Sequence, residues 1–248
     1  MMGAIYIMWL RQVKKYWRSK ARLIGSLGQP ILFLVALGFG FNHIFENAMG
    51  TSYVEFLVPG VIVMSILFTS MFTGIELIWD RQFGFLKETL VAPVSRTKLM
   101  LGRTLGGATV AVAQGIIVML IALLVGFRPS LTGLPIALLF MFLIGILFTA
   151  FGTAIASRLE DMQAFPIIIN FIIMPLFFLS GALFPLQGIP EILDTIIRFN
   201  PLTYGVDGVR YAFGGVAHFS IFLDLGIIAG IALFILALGT YLFHKIEI

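Results

Sequence analysis

The sequence contains no cysteine, which removes disulfides, thiolate metal sites and cysteine nucleophiles together. It is also poor in charge. Asp, Glu, Lys and Arg make up 11% of it, against about 25% in an ordinary soluble domain. So little polar surface cannot cover a water-soluble globule. No Gly-x-x-x-x-Gly-Lys-Ser/Thr string occurs, so the chain has no P-loop of its own to cradle a nucleotide phosphate. The three histidines, His43, His218 and His244, form no pair at ligand spacing and give no basis for a metal site. The first twenty residues carry Arg11, Lys14, Lys15, Arg18 and Lys20 among Trp9, Tyr16 and Trp17. They lack the apolar core and small-residue cleavage site of a signal peptide.

What the sequence has is apolar length: 60% of its residues are hydrophobic and the mean hydropathy is +1.06. A helix that spans a bilayer needs roughly 20 mostly apolar residues, because its backbone polar groups must be satisfied within the segment. Six runs meet that length, at 23–45, 56–79, 105–127, 134–157, 164–184 and 221–243. The reading is therefore all-α: a polytopic membrane protein with six transmembrane helices, forming one domain over 1–248 with no separate globular core.

Six spans put both ends of the chain on one side. That side then holds every one of the 16 basic residues except Arg128, Arg198 and Arg210. Because basic loops stay cytoplasmic, both termini and the loop 80–104 are expected to face the cytoplasm. The net charge of +4 thus reports topology and not nucleic-acid binding.

Between the runs, three segments have a character of their own. Residues 5–22 alternate apolar Ile5, Trp9, Val13, Tyr16 and Trp17 with Arg11, Lys14, Lys15 and Arg18, the pattern of an amphipathic interfacial helix. The loop 80–104 carries an apolar stripe of Phe83, Phe85, Leu86, Leu90 and Val91, which predicts a short amphipathic helix stopped by Pro93. The segment 185–219 is too short to cross and too apolar to be solvated, so it predicts two half-inserted, re-entrant helices at 190–199 and 202–213 on the outer side. Asn200-Pro201 marks the turn between them.

Within the runs, Gln29-Pro30 predicts a bent or late-starting first span. Glu76 and Asp224 each lie within a turn or two of a span end, where headgroups or a nearby Arg can satisfy them. Gly102, Gly106 and Gly107, with Gly226 and Gly230, give small-residue faces for close helix packing. Arg210 is expected to pair with Asp207, Glu191 or Asp194, and Tyr204 to anchor at the outer interface.

Two segments resemble the membrane subunits of type-2 ABC exporters, permeases that work with a separate ATP-binding-cassette subunit. The first is Gly84-Phe85-Leu86-Lys87-Glu88-Thr89-Leu90-Val91-Ala92-Pro93-Val94-Ser95-Arg96, similar to the family's loop after the second span. The second runs through Ile173, Leu176, Leu179-Ser180-Gly181-Ala182, Ile189-Pro190 and Pro201-Leu202-Thr203-Tyr204 to Arg210, and resembles the family's C-terminal signature.

The resemblance implies that the first loop carries a coupling helix, so Phe83, Gly84, Phe85, Leu86, Lys87, Glu88, Pro93 and Arg96 are expected to dock an ATPase. An apolar knob with a charged rim has the anatomy of a docking patch. Gly181, Pro190, Pro201, Tyr204 and Arg210 are expected to be structural. The implied assembly is a dimer of this permease, with itself or a similar one, carrying two ABC ATPase subunits in the plasma membrane. ATP and magnesium would be bound by those partners and no cofactor by this chain. Its implied work is export of an amphipathic or lipid-linked cargo such as a drug, glycolipid or polysaccharide. Two other classes stay open. An ATP-independent secondary carrier should show interrupted helices at matching places in two halves, and Pro30 with Pro166 and Pro175 makes no convincing match. A membrane-embedded lipid-modifying enzyme needs clustered acids or histidines, whereas Glu160-Asp161 is isolated and reads as a solvated turn.

Overall fold

A computed structural model describes residues 3–50, 52–91, 93–159 and 161–245. Ala92 of the loop segment and Glu160 lie outside the described residues. The described chain is built of helices: α1 (Gly3–Arg18), α2 (Lys20–Met49), α3 (Tyr53–Gln82), α4 (Phe85–Val91), α5 (Arg96–Leu124), α6 (Leu134–Ala156), α7 (Ala164–Ile168), α8 (Met174–Phe178), α9 (Glu191–Phe199), α10 (Pro201–Ala212) and α11 (Ile221–His244). This is an all-α polytopic membrane protein.

Among the described residues five helices, α2, α3, α5, α6 and α11, are long and apolar enough to cross a membrane. The fifth expected span, 164–184, is instead a shorter apolar helix over Ala164–Phe178. A π-helical turn at Ile169–Ile173 joins α7 to α8 there, between Pro166 and Pro175. Proline lacks the N–H that the preceding turn would use, and a widened turn is one way a helix absorbs that loss. At about 1.5 Å per residue the 15 residues rise about 22 Å, less than a full hydrocarbon core. Even so, the chain passes from one end of the bundle to the other between α6 and Gly181.

Pro30 delays nothing: α2 begins at Lys20 and continues through it, which corrects the expected late start. The charged loop is also shorter than expected, because α3 runs on to Gln82 and α5 starts at Arg96. Ionic residues extend both helices since they are paired within the bundle.

The bundle is organised around α3, buried along most of its length and packed against α2, α5, α6 and α10. Between apolar helices in lipid the hydrophobic effect supplies little, so close van der Waals approach carries the packing. Glycine makes that approach possible. A Cβ on Gly60 would stand 2.2 Å from the Ala182 carbonyl oxygen, and one on Gly74 2.5 Å from the Gly152 backbone. Gly102 and Gly106 admit α1 onto α5 and Gly107 admits Thr149, but Gly226 and Gly230 have nothing within 4 Å. The expected small-residue face on α11 therefore packs against none of the described residues of its own chain.

Candidate functional site

The sequence around the expected coupling helix folds for local reasons. Gly84 has φ +77°, a left-handed conformation that glycine adopts without penalty, and it turns the chain sharply after α3. The Gly84 carbonyl accepts the Lys87 N–H at 3.1 Å, and Thr89 Oγ1 donates to the Phe85 carbonyl at 2.9 Å. This seven-residue helix packs on the end of α3.

Its faces are unequal. Leu86 is buried and anchors α4 inward, while the Phe85 ring lies 4.0 Å from the Arg11 guanidinium carbon. Phe83 and Val91 are more than four-fifths exposed, and Lys87, Glu88 and Pro93 are exposed beside them. Arg96 sits at the start of α5, where its Nη1 donates to the His244 carbonyl at 2.5 Å. Of the residues expected to dock a partner, Phe83, Lys87, Glu88 and Pro93 are therefore open. Leu86 holds the helix in place, Gly84 turns the chain into it, Phe85 is exposed against Arg11, and Arg96 ties the start of α5 to the end of α11.

Beneath α4 lies an ionic cradle that the sequence did not disclose. Asp80 takes Arg11 at 3.0 Å and Arg103 at 2.9 Å. Glu76 takes Lys15 at 3.2 Å and also pairs with Arg22. Burial pushes the Lys15 ammonium below its ordinary pKa. Trp9 Nε1 donates to Thr109 Oγ1 at 3.0 Å, and the Tyr16 hydroxyl donates to Gln114 Oε1. Helix α1 is thus no free surface helix: it lies along the first half of α5 with Met8, Gln12 and Tyr16 buried. Arg11 and Lys15, expected on its solvated side, instead turn towards the acids of α3. Two acids one turn apart near the end of a span, with basic residues at 11, 15 and 22, were the available signal.

At the other end the signature residues are structural neighbours. Gly181, at φ +72°, offers its carbonyl to Arg210 Nη2 at 2.8 Å. Pro190 precedes α9, and Pro201 opens α10, where its fixed φ suits a first helical turn. Asn200 joins the elements. Its Nδ2 donates to the Leu176 carbonyl at 2.6 Å and its Oδ1 accepts the Leu202 N–H at 3.0 Å. Tyr204 is buried and its hydroxyl donates to the Arg198 carbonyl at 2.7 Å, so it ties α10 to α9 and is no exposed anchor. The expected carboxylate pairs of Arg210 also give way. Asp194 pairs with Arg198, and Asp207 accepts the backbone N–H groups of His218 and Phe219.

A short helix thus projects from an ion-paired end of the bundle, and at the opposite end Tyr204 and Asn200 hold a pair of short helices in place. The family described as ABC-2 type transporter matches residues 3–214. "Putative transport permease ycf38" of Pyropia yezoensis is 32% identical over 217 residues, covering 83% of this chain and 72% of that one. The protein of the same name from Porphyra purpurea is 30% identical over 246 residues, covering 93% and 84%. "Nodulation protein J" of Rhizobium leguminosarum bv. trifolii is 28% identical over 207 residues, covering 83% and 76%. The match spans α4, the ionic cradle and the short helices α9 and α10, and the chain belongs to the ABC-2 type transporter family as a transmembrane permease subunit of an ABC transporter.

Proposed function

We propose that α4 is the docking element for a separate ABC ATPase, on the cytoplasmic face of a six-span permease, and that two such chains with two ATPases export an amphipathic or lipid-linked cargo. The observation that carries this is the split character of α4, with Leu86 locked into the bundle while Phe83, Lys87, Glu88 and Val91 stand free. A helix held on one side and open on the other can receive a partner and pass its movement on. Packed helices shift as units, and Arg11 touches both Phe85 and Asp80. A push on α4 therefore reaches α1 and α3 together, and α5 through Arg103.

The topology supports the same reading. Helix α1, α4, the start of α5 and the end of α11 share one end of the bundle, where most basic residues lie. The turns near 50, 128, 184 and 214 share the other. Helices α2 and α11 are little buried within the chain, which leaves faces for lipid and for a second copy. ATP and magnesium would act in the partner subunit. A cargo drawn from drugs, glycolipids or polysaccharides in the plasma membrane is what the family implies.

Two measurements test this. Because the chain has no cysteine, Lys87→Cys and Val216→Cys are single labelling sites. A membrane-impermeant maleimide on intact cells should label the second and spare the first, and the reverse pattern sinks the proposed orientation. Glu88→Lys should reduce both ATPase co-purification and ATP-dependent transport about tenfold or more, as expected for an interface hot spot, while membrane insertion is unchanged. Unaltered co-purification and transport in Glu88→Lys and Phe83→Ala would remove the docking role.

A further inference from the structure

At the end opposite α4, a cavity of about 640 Å³ opens between the turn after α2, the turn before α6, the segment after Gly181 and the end of α10. Part of its wall is aromatic, from Phe45, Phe56, Phe127 and Phe213. One cation sits deep in it. Arg210 is 8% exposed, makes a single hydrogen bond to the Gly181 carbonyl, and stands 4.1 Å from the centre of the Phe56 ring. Its Nε has no acceptor.

No carboxylate neutralises it by contact. The ion pairs among the described residues are made by Arg11, Lys15, Arg22, Arg103 and Arg198. The facing acid, Asp207, has both oxygens taken by the N–H groups of His218 and Phe219 at 2.7–2.9 Å. A guanidinium removed from water and left with one carbonyl partner is costly. What it lacks is an oxyanion that offers two acceptor oxygens, the group its planar donor fork fits best. Arg128, exposed, lines the same cavity and places a second cation where an entering anion would pass. Glu55, also exposed there, disfavours a heavily charged anion over a singly charged one.

We propose that this cavity binds a phosphate- or carboxylate-type oxyanion, Arg210 holding it from within, Arg128 recruiting it, and the phenylalanine wall receiving the apolar body to which it is attached. The site lies within one chain, and it stands whatever the direction of transport and whatever docks on α4.

The test uses the purified full chain in nonionic detergent, titrated with short-chain phosphatidylglycerol, with diacylglycerol of the same chains, and with inorganic phosphate, and read by native mass spectrometry and by the shift in unfolding temperature. Phosphatidylglycerol should bind about tenfold or more tightly than diacylglycerol, on the scale of a charge-assisted hydrogen bond. Arg210→Gln should remove that preference. Because Arg210 also holds Gly181, Arg128→Gln, at an exposed position, is the second variant and should weaken phosphatidylglycerol binding several-fold with unfolding unchanged. Competition by inorganic phosphate would show that the free ion suffices, and its failure to compete that the oxyanion must be lipid-borne. Equal affinity for the two lipids in the unmodified chain, or an unchanged preference in Arg128→Gln together with a folded Arg210→Gln, overturns the proposal.

Discussion

Replacing Asp80 with asparagine should destabilise the folded chain by about 3–5 kcal/mol, the cost of breaking a buried ion pair by removing one partner. Asparagine keeps the shape of the side chain but neutralises nothing, and two guanidinium groups depend on that charge. Arg103 is 2% exposed, with its Nε already lacking an acceptor. Without Asp80 it becomes a buried cation held by a long contact to the Thr73 carbonyl at 3.5 Å. Arg11 is partly exposed and can turn to water, so Arg11→Gln should cost much less. The burden therefore falls on Arg103, and this makes the prediction separable. Asp80→Asn combined with Arg103→Met removes both charges and fills similar volume, so the double variant should recover most of the stability. Thermal unfolding of the three variants in detergent measures this directly. An Asp80→Asn chain that unfolds with the unmodified one, or a double variant no better than the single, would show that this pair does not hold α5 to α3. Transport adds a second readout: the double variant should fold yet transport poorly, because Arg11 loses the acid that couples α4 to α3.

That cradle also marks where sequence reading stopped. The helices themselves were legible, because a bilayer demands long apolar runs: α2, α3, α6 and α11 follow the expected runs to within four residues, and α5 starts nine residues before its run. The short helices α4, α9 and α10 were legible too, each framed by a proline or glycine that ends or starts it. The interior polar partners were not. Arg11 meets Asp80 across 69 residues and Trp9 meets Thr109 across 100, and periodicity within a segment carries no information about which segment lies alongside. Arg11 and Lys15 were placed on the solvated side of α1 because charge normally marks that side. Here the neighbouring helix supplied acids, so charge marked an interior contact. Arg210 failed in the opposite sense. Nearby acids in sequence predicted a carboxylate partner, but Asp194 was closer to Arg198 and Asp207 was needed to cap the turn before α11. The shortened helix over Ala164–Phe178 was missed because hydropathy counts residues, while the turn that follows Phe178, with Gly181 at φ +72°, ends the helix inside the apolar run.

Gly74→Ala, with Gly60→Ala, should be among the most damaging single methyls that can be added to α3, with a loss of about 3 kcal/mol, the upper part of the range for overpacked cores. The new Cβ would lie 2.5 Å from both the carbonyl carbon and oxygen of Gly152. Those are backbone atoms of α6, so no rotamer change relieves the overlap. The two helices must separate. In an apolar bundle that separation forfeits dispersion contacts along both helices, since a gap of 0.5–1 Å already loses about a quarter to a half of each. Gly152→Ala meets Met71 atoms at 3.1–3.5 Å, which small shifts absorb, so it should cost less than half as much. Gly25→Ala and Gly28→Ala meet nothing within 4 Å and replace a poor helix former with the best one. They should hold or raise the unfolding temperature, a gain of up to about 1 kcal/mol. Ranking the four variants by thermal unfolding tests whether glycine acts here through contact or through helix propensity. Equal gains in all four would mean propensity governs, and the close crossing of α3 and α6 would then not be what holds the bundle together.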